Sequence, residues 1–168
     1  MHFDRQFDPA RIPDFAASYP AAEDDKAFAA SRRIRAGVCT RTELEDIFEW
    51  RTNGCGRSRL MLNTEDEIIE ALFLAAGART ERAAVAVLCG LHGVDVPVAS
   101  AIPTATDQQR YTVIDFRALR ALGNRSTDRS INFYLVYLDA CRRLAKAHHV
   151  SLRVLDRALW QWSKTQVI

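Results

Sequence analysis

A chain of 168 residues has the length of one domain, or of two small lobes around a cleft. Its 48% apolar and 26% charged residues describe a globular protein that buries a core without a metal or a disulfide. No apolar run approaches the ~18 residues a membrane span needs, and the 20 arginines among 23 basic residues, at a net charge of +2, suit phosphate contact but equally follow from a GC-rich genome.

The opening segment is interrupted by Asp4, Arg5, Asp8 and Arg11, which is not the pattern of a signal peptide, so a cytoplasmic location is expected. Pro9, Pro13 and Pro20 give the first 20 residues the character of an extended arm, and Phe3, Phe7, Phe15 and Tyr19 are expected to pack it down. A helix is predicted over 21–36. Thr40 caps the next, over 41–51, with Glu43 completing a capping box and Leu44, Ile47, Phe48 and Arg51 on one face. Asn53-Gly54-Cys55-Gly56 ends it, leaving Arg57 and Arg59 in a loop. Thr64 with Glu67 starts a third helix, with Ile68, Ile69, Leu72 and Phe73 as its buried stripe. Thr80 starts a fourth, to Cys89, with Ala83, Ala84, Val87 and Leu88 inward.

A turn follows at Leu91-His92-Gly93-Val94-Asp95, then a helix over 96–105 with Pro97 in its first turn. Residues 110–114 are extended in character. Asp115 opens a short helix that ends at Gly123, Ser130–His149 is a long amphipathic helix, and Ser151 caps a last one that carries Trp160 and Trp162. The expected fold class is all-α, with about eight helices and no sheet. Cys39, Cys55, Cys89 and Cys141 form no Cys-x-x-Cys pair, which argues against zinc or an iron–sulfur cluster and for free thiols; no cofactor is required.

The string Leu91-His92-Gly93-Val94-Asp95-Val96-Pro97-Val98-Ala99-Ser100 carries a physical logic of its own. A glycine turn leading into a helix start exposes main-chain N–H groups at a positive dipole end, where a DNA phosphate binds without sequence readout. An ordinary helical hairpin in a core is the alternative reading of the same residues. The string resembles the hairpin of the helix-hairpin-helix DNA glycosylase superfamily, with Gly93 at the first glycine, Val94 as the hydrophobic pin and Ala99 as the small residue at the helix crossing. Asp95 stands where the family has a second glycine and His92 where it has proline. The later string Val113-Ile114-Asp115-Phe116-Arg117 resembles the family's aspartate segment, 18 positions after Pro97. The ending from Leu155 to Trp162 and the pair Trp50-Arg51 fit a small bacterial protein with an oxoguanine-glycosylase-type fold.

The resemblance implies two lobes, one over about 40–108 with the hairpin, the other over about 1–38 plus 115–168. It implies duplex DNA as the partner, contacted by His92, Gly93, Val94 and Asp95, with Arg57 and Arg59 adding phosphate contacts. Trp50, Arg51, Tyr134 and Tyr137 would line the base pocket or enter the duplex. The main-chain oxygens of Cys89, Leu91 and Val94 would hold a monovalent cation, Na+ or K+. Asp115 would be the catalytic carboxylate, stabilising the cationic sugar as the base leaves; its plainer reading is a helix cap. Pro97 occupies the position of the family's nucleophilic lysine, so the activity implied is hydrolysis of the N-glycosidic bond by water, without strand cleavage. A non-catalytic DNA-binding or interaction module on the same fold is the competing reading. A monomer is expected.

Overall fold

Side-chain oxygens fix where the helices begin. Thr64, Thr80, Asp95, Asp115, Ser130 and Ser151 each accept the N–H of the third helical residue, and the Thr40 N–H donates to Glu43 at 3.1 Å. The resulting structure, a computed structural model, describes residues 2–166. It is 66% helix, with ten α-helices and no strand among the described residues. No helix is long and apolar enough to cross a membrane. The chain divides into two units, residues 21–107 and residues 2–20 with 108–166.

The first unit contains α2 (Asp25–Arg35), α3 (Arg41–Thr52), α4 (Arg57–Leu60), α5 (Glu65–Gly77), α6 (Glu81–Leu88) and α7 (Val96–Thr106). Its centre is α7, buried at every position from Val96 to Ala105. The small side chains of Ala99, Ser100, Ala101 and Thr104 let α2, α3, α5 and α6 pack around it. Arg33 joins α2 to α3 through Glu43 at 2.6 Å and Asp46 at 2.9 Å. Burial works against the Glu43 carboxylate, but hydrogen bonds from Thr40 and Arg33 hold its pKa below the usual range.

The second unit contains α1 (Ile12–Ala17), α8 (Phe116–Ala121), α9 (Ile131–Ala147) and α10 (Leu152–Thr165). Its first residues pack down as expected: Phe3 lies 5.9 Å from both Phe133 and Tyr137, and Phe7 stacks on Trp162 at 5.6 Å. The Asp4 and Gln6 N–H groups donate to Leu122 O and Ala121 O, each at 2.9 Å. Gly123 takes a left-handed φ of +66°, which favours glycine, and a Cβ there would displace the end of the Gln6 side chain and come within 3.3 Å of Asp4 O.

Several expectations are corrected. The arm is not wholly extended: Pro9 and Pro13 take first-turn positions of a 3-10 turn (Pro9–Arg11) and of α1, where a missing N–H costs nothing. The Arg57–Arg59 segment is helical, as α4; with α1 this accounts for ten helices rather than eight. In α5 the buried stripe is Ile68, Ala71 and Leu72, while Ile69 and Phe73 are 40% and 69% exposed. In α6 it is Ala84, Val85 and Leu88. Residues 21–38 belong with the hairpin-bearing unit, because α2 buries Ala27, Ala30 and Ile34 and packs on α3 and α7.

Arg110 ends a turn, and Tyr111–Ile114 after it are irregular, buried and paired with no strand among the described residues; α9 supplies donors to the segment instead. Arg142 Nε donates to Arg110 O at 3.1 Å, Tyr134 Oη to Thr112 O at 3.1 Å, and Tyr137 Oη to Val113 O at 2.8 Å. Tyr137→Phe leaves Val113 O unpaired in the core and is expected to lower stability by about 1–3 kcal/mol in denaturant unfolding.

Candidate functional site

The hairpin turn is held from α4 and the residues after it. Gly93 (φ +79°) lies so close to α4 that a Cβ would sit 2.9 Å from Leu60 N and 3.1 Å from Arg59 Cβ. Asn63 is buried, and its side chain grips both polar groups of His92: Oδ1 accepts the His92 N–H at 2.8 Å, and Nδ2 donates to His92 O at 3.0 Å. Val94 is 5% exposed, a pin driven into the unit. Asp95 caps α7 with Oδ1 3.1 Å from Val98 N, so part of its charge is directed at the helix's own positive end.

These bonds narrow the expected DNA-facing set. The His92 N–H is taken by Asn63 and the Val94 N–H by Leu91 O at 3.2 Å, because the turn uses them to hold its own shape. Among the described residues no group accepts the N–H of Gly93 or of Asp95. The imidazole of His92 is exposed. Arg57 is exposed but paired with Glu45 at 2.7 Å; Arg59 is exposed beside Gly93.

The proposed cation ligands, the oxygens of Cys89, Leu91 and Val94, are neutral carbonyls of one turn, a donor set suited to a monovalent hard ion. Leu91 O already accepts one N–H, and the Cys89 thiol, pushed up to about 11 by burial and by the charge of Asp95, is not a ligand. No cluster of three or more His, Cys, Asp or Glu with metal-site geometry exists among the described residues.

In the other unit, Asp115 is half-buried at the start of α8, its Oδ1 2.7 Å from Ala118 N. The main chain behind it is clamped by Tyr134 and Tyr137. Both tyrosines are 0% exposed with their hydroxyls on backbone oxygens, and burial drives both phenols well above their ordinary pKa. Neither ring has a face for an extruded base, so the pocket role expected of them is corrected to one of support for Asp115. The same unit holds a buried ion pair that no sequence motif marks, Arg153 with Asp156. Burial pushes the Asp156 carboxyl up to about 6 against the attraction of Arg153, and the charge of Asp115 adds to the rise.

Trp50, at the end of α3, is half-buried; Nε1 donates to the buried Asp24 at 3.0 Å, and Phe28 lies 5.9 Å from its ring. Arg51 beside it is also half-buried. These contacts give Trp50 a structural task at the helix end. Asn63, Arg153 and Asp156 carried no motif that would have marked them, because their roles depend on contacts that only the fold creates. Comparison with protein-family models, curated proteins and solved structures returns no match to this chain.

Removing the Asn63 amide strands both polar groups of His92. Asn63→Ala should lower stability by about 2 kcal/mol in thermal or denaturant unfolding. Asp156 predicts a pH effect of defined sign. Its carboxyl is raised in the folded state, so the native protein binds the extra proton between about pH 4 and 6. The stability that this group contributes is full below about pH 4 and is lost as pH rises through about 6. Asp156→Asn should flatten that part of the stability curve, measured by unfolding at fixed pH steps.

Proposed function

We propose that the chain binds duplex DNA through the 91–95 hairpin and hydrolyses the N-glycosidic bond of a damaged or modified base, with Asp115 as the catalytic carboxylate. The observation that carries this reading is the seating of Asp115: a part-exposed carboxylate, fixed by a 2.7 Å bond to Ala118 N, on a buried segment whose carbonyls are held by two tyrosines. A carboxylate so held is preorganised, and preorganisation is what makes it effective against a charge that develops only in the transition state. As the C1′–N bond breaks, the electron pair leaves with the base and positive charge builds on the sugar. Asp115 stabilises that charge and orients a water whose oxygen bonds to C1′, while its proton is transferred to the departing base.

The hairpin supports the DNA part of the reading. Gly93 and Asp95 offer main-chain N–H groups beside Arg59 and His92, which is the chemistry of a phosphate contact. Pro97, at the position where the superfamily that the hairpin resembles carries its lysine, is buried and offers no nucleophile, which leaves water as the attacking group. A second reading, a non-catalytic DNA-binding module, is favoured by Asp95, whose exposed carboxylate sits where a phosphate would approach.

Asp115→Asn separates the two. It keeps Oδ1 and the capping bond while deleting the charge. Under the first reading, stability stays within about 1 kcal/mol, and base release from duplexes carrying a panel of modified bases falls by about 10²–10³-fold. Equal base release by a well-folded variant removes Asp115 from catalysis; duplex binding without base release by the unaltered protein leaves the second reading.

A further inference from the structure

The stretch from α8 to the start of α9 is rich in positive charge, and of its arginines Arg117 packs over the Trp160 ring, 5.3 Å from its centroid. Residues 116–130 hold Arg117, Arg120, Arg125 and Arg129 against one acid, Asp128. Asp128 accepts the Ser130 N–H at Oδ1, 2.7 Å away, and is not among the residues that line the groove described next. The loop is built by local bonds: Asn124 N donates to Leu119 O at 2.9 Å, Ser126 N to Asn124 Oδ1 at 2.9 Å and Asp128 N to Ser126 Oγ at 3.1 Å. Within it lies a groove of about 360 Å³, lined among others by Phe116, Leu119, Arg120, Arg125, Thr127 and Arg129. Among the described residues, Arg120, Arg125 and Arg129 make no ion pair or hydrogen bond. The Phe116 ring is 63% exposed, with the Arg117 guanidinium 5.0 Å from its centroid.

Like charges gathered around one groove repel, and no acid in it offsets them, so the groove is complementary to an anion. Its size is in the range of about 300–1,000 Å³ typical of small-molecule sites. Guanidinium groups match the geometry of phosphate oxygens. An exposed aromatic ring and the Leu119 side chain add an apolar surface that inorganic phosphate cannot use but a nucleobase can. We propose that this groove binds a nucleoside phosphate, its phosphate held by Arg120, Arg125 and Arg129 and its base laid on Phe116. The unit is either a free nucleotide or one nucleotide of a strand. The site shares none of its residues with the hairpin and stands whether or not the hairpin binds duplex.

The test uses the whole chain, titrated with thymidine monophosphate, a single-stranded oligothymidylate, inorganic phosphate and a duplex of mixed sequence. The variants are Arg125→Ala/Arg129→Ala, Phe116→Ala and, as a hairpin control, Arg59→Ala. All four side chains are exposed, and circular dichroism checks that each variant is folded. Binding of the monophosphate that weakens tenfold or more in the double variant, and also in Phe116→Ala, establishes a free-nucleotide site. The same pattern with the oligonucleotide alone places the nucleotide in a strand. Unchanged affinity in the double variant, or no binding of either probe by the unaltered protein, overturns the proposal. Phosphate that binds as tightly as the monophosphate, with no effect of Phe116→Ala, also overturns it. Duplex binding that falls in Arg59→Ala but not in the double variant agrees with two separate sites, so the groove and the hairpin readings stand or fall on different probes.

Discussion

An irregular stretch of buried backbone needs hydrogen-bond partners, and residues 110–114 obtain theirs from side chains rather than from a neighbouring strand. Tyr111, Thr112, Val113 and Ile114 are all buried. Tyr134, Tyr137 and Arg142 lie along α9 at intervals that keep them on one side of it, and from there they donate to Thr112 O, Val113 O and Arg110 O. The long helix thus acts as a row of donors where a β-ladder would otherwise stand. The position of Asp115 depends on this arrangement, since the segment leads directly into its capping bond.

Helix starts were legible because their signals are local. A threonine, serine or aspartate before an apolar-periodic run satisfies orphan N–H groups wherever the helix goes, so Thr40, Thr64, Thr80, Asp95, Asp115, Ser130 and Ser151 could each be assigned from sequence. Which side of a helix faces inward is less local. In α5, Ile68, Ile69, Leu72 and Phe73 form an apolar band wider than the contact surface, and packing selects Ile68 and Leu72 together with the small Ala71, leaving Phe73 outside. The tyrosines of α9 show the same limit: their spacing predicts an inward face but not that their hydroxyls end on a main chain 22 and 24 residues away.

The site divides along the same line. Gly93, Val94, Asp95 and Asp115 occupy the places that their types suggested, since a positive φ, a buried pin and two caps are properties of one or two residues. Asn63, Arg153 and Asp156 act across the fold, and an asparagine or an arginine–aspartate pair in a sequence is too common to announce such a role. The hairpin loses two of its expected amides for a related reason: an N–H that a ligand could take is also one that the turn must satisfy, and Asn63 and Leu91 O take them first.

Asp95 and Asp115 are both capping aspartates, set in different surroundings. Both accept the N–H three residues on, at 3.1 and 2.7 Å, and that bond alone separates nothing. Their surroundings differ. Asp95 is exposed at a turn, where water screens its charge and the helix end absorbs part of it. Asp115 is half-buried, and its charge is felt by the buried Asp156 and Tyr137, raising the pKa of both. A carboxylate whose field reaches neighbouring buried groups lies in a medium that does not screen it well. The cap fixes the position of each charge; from there Asp115 acts on the fully buried Asp156 and Tyr137, whereas the exposed Asp95 acts on the half-buried Cys89 thiol.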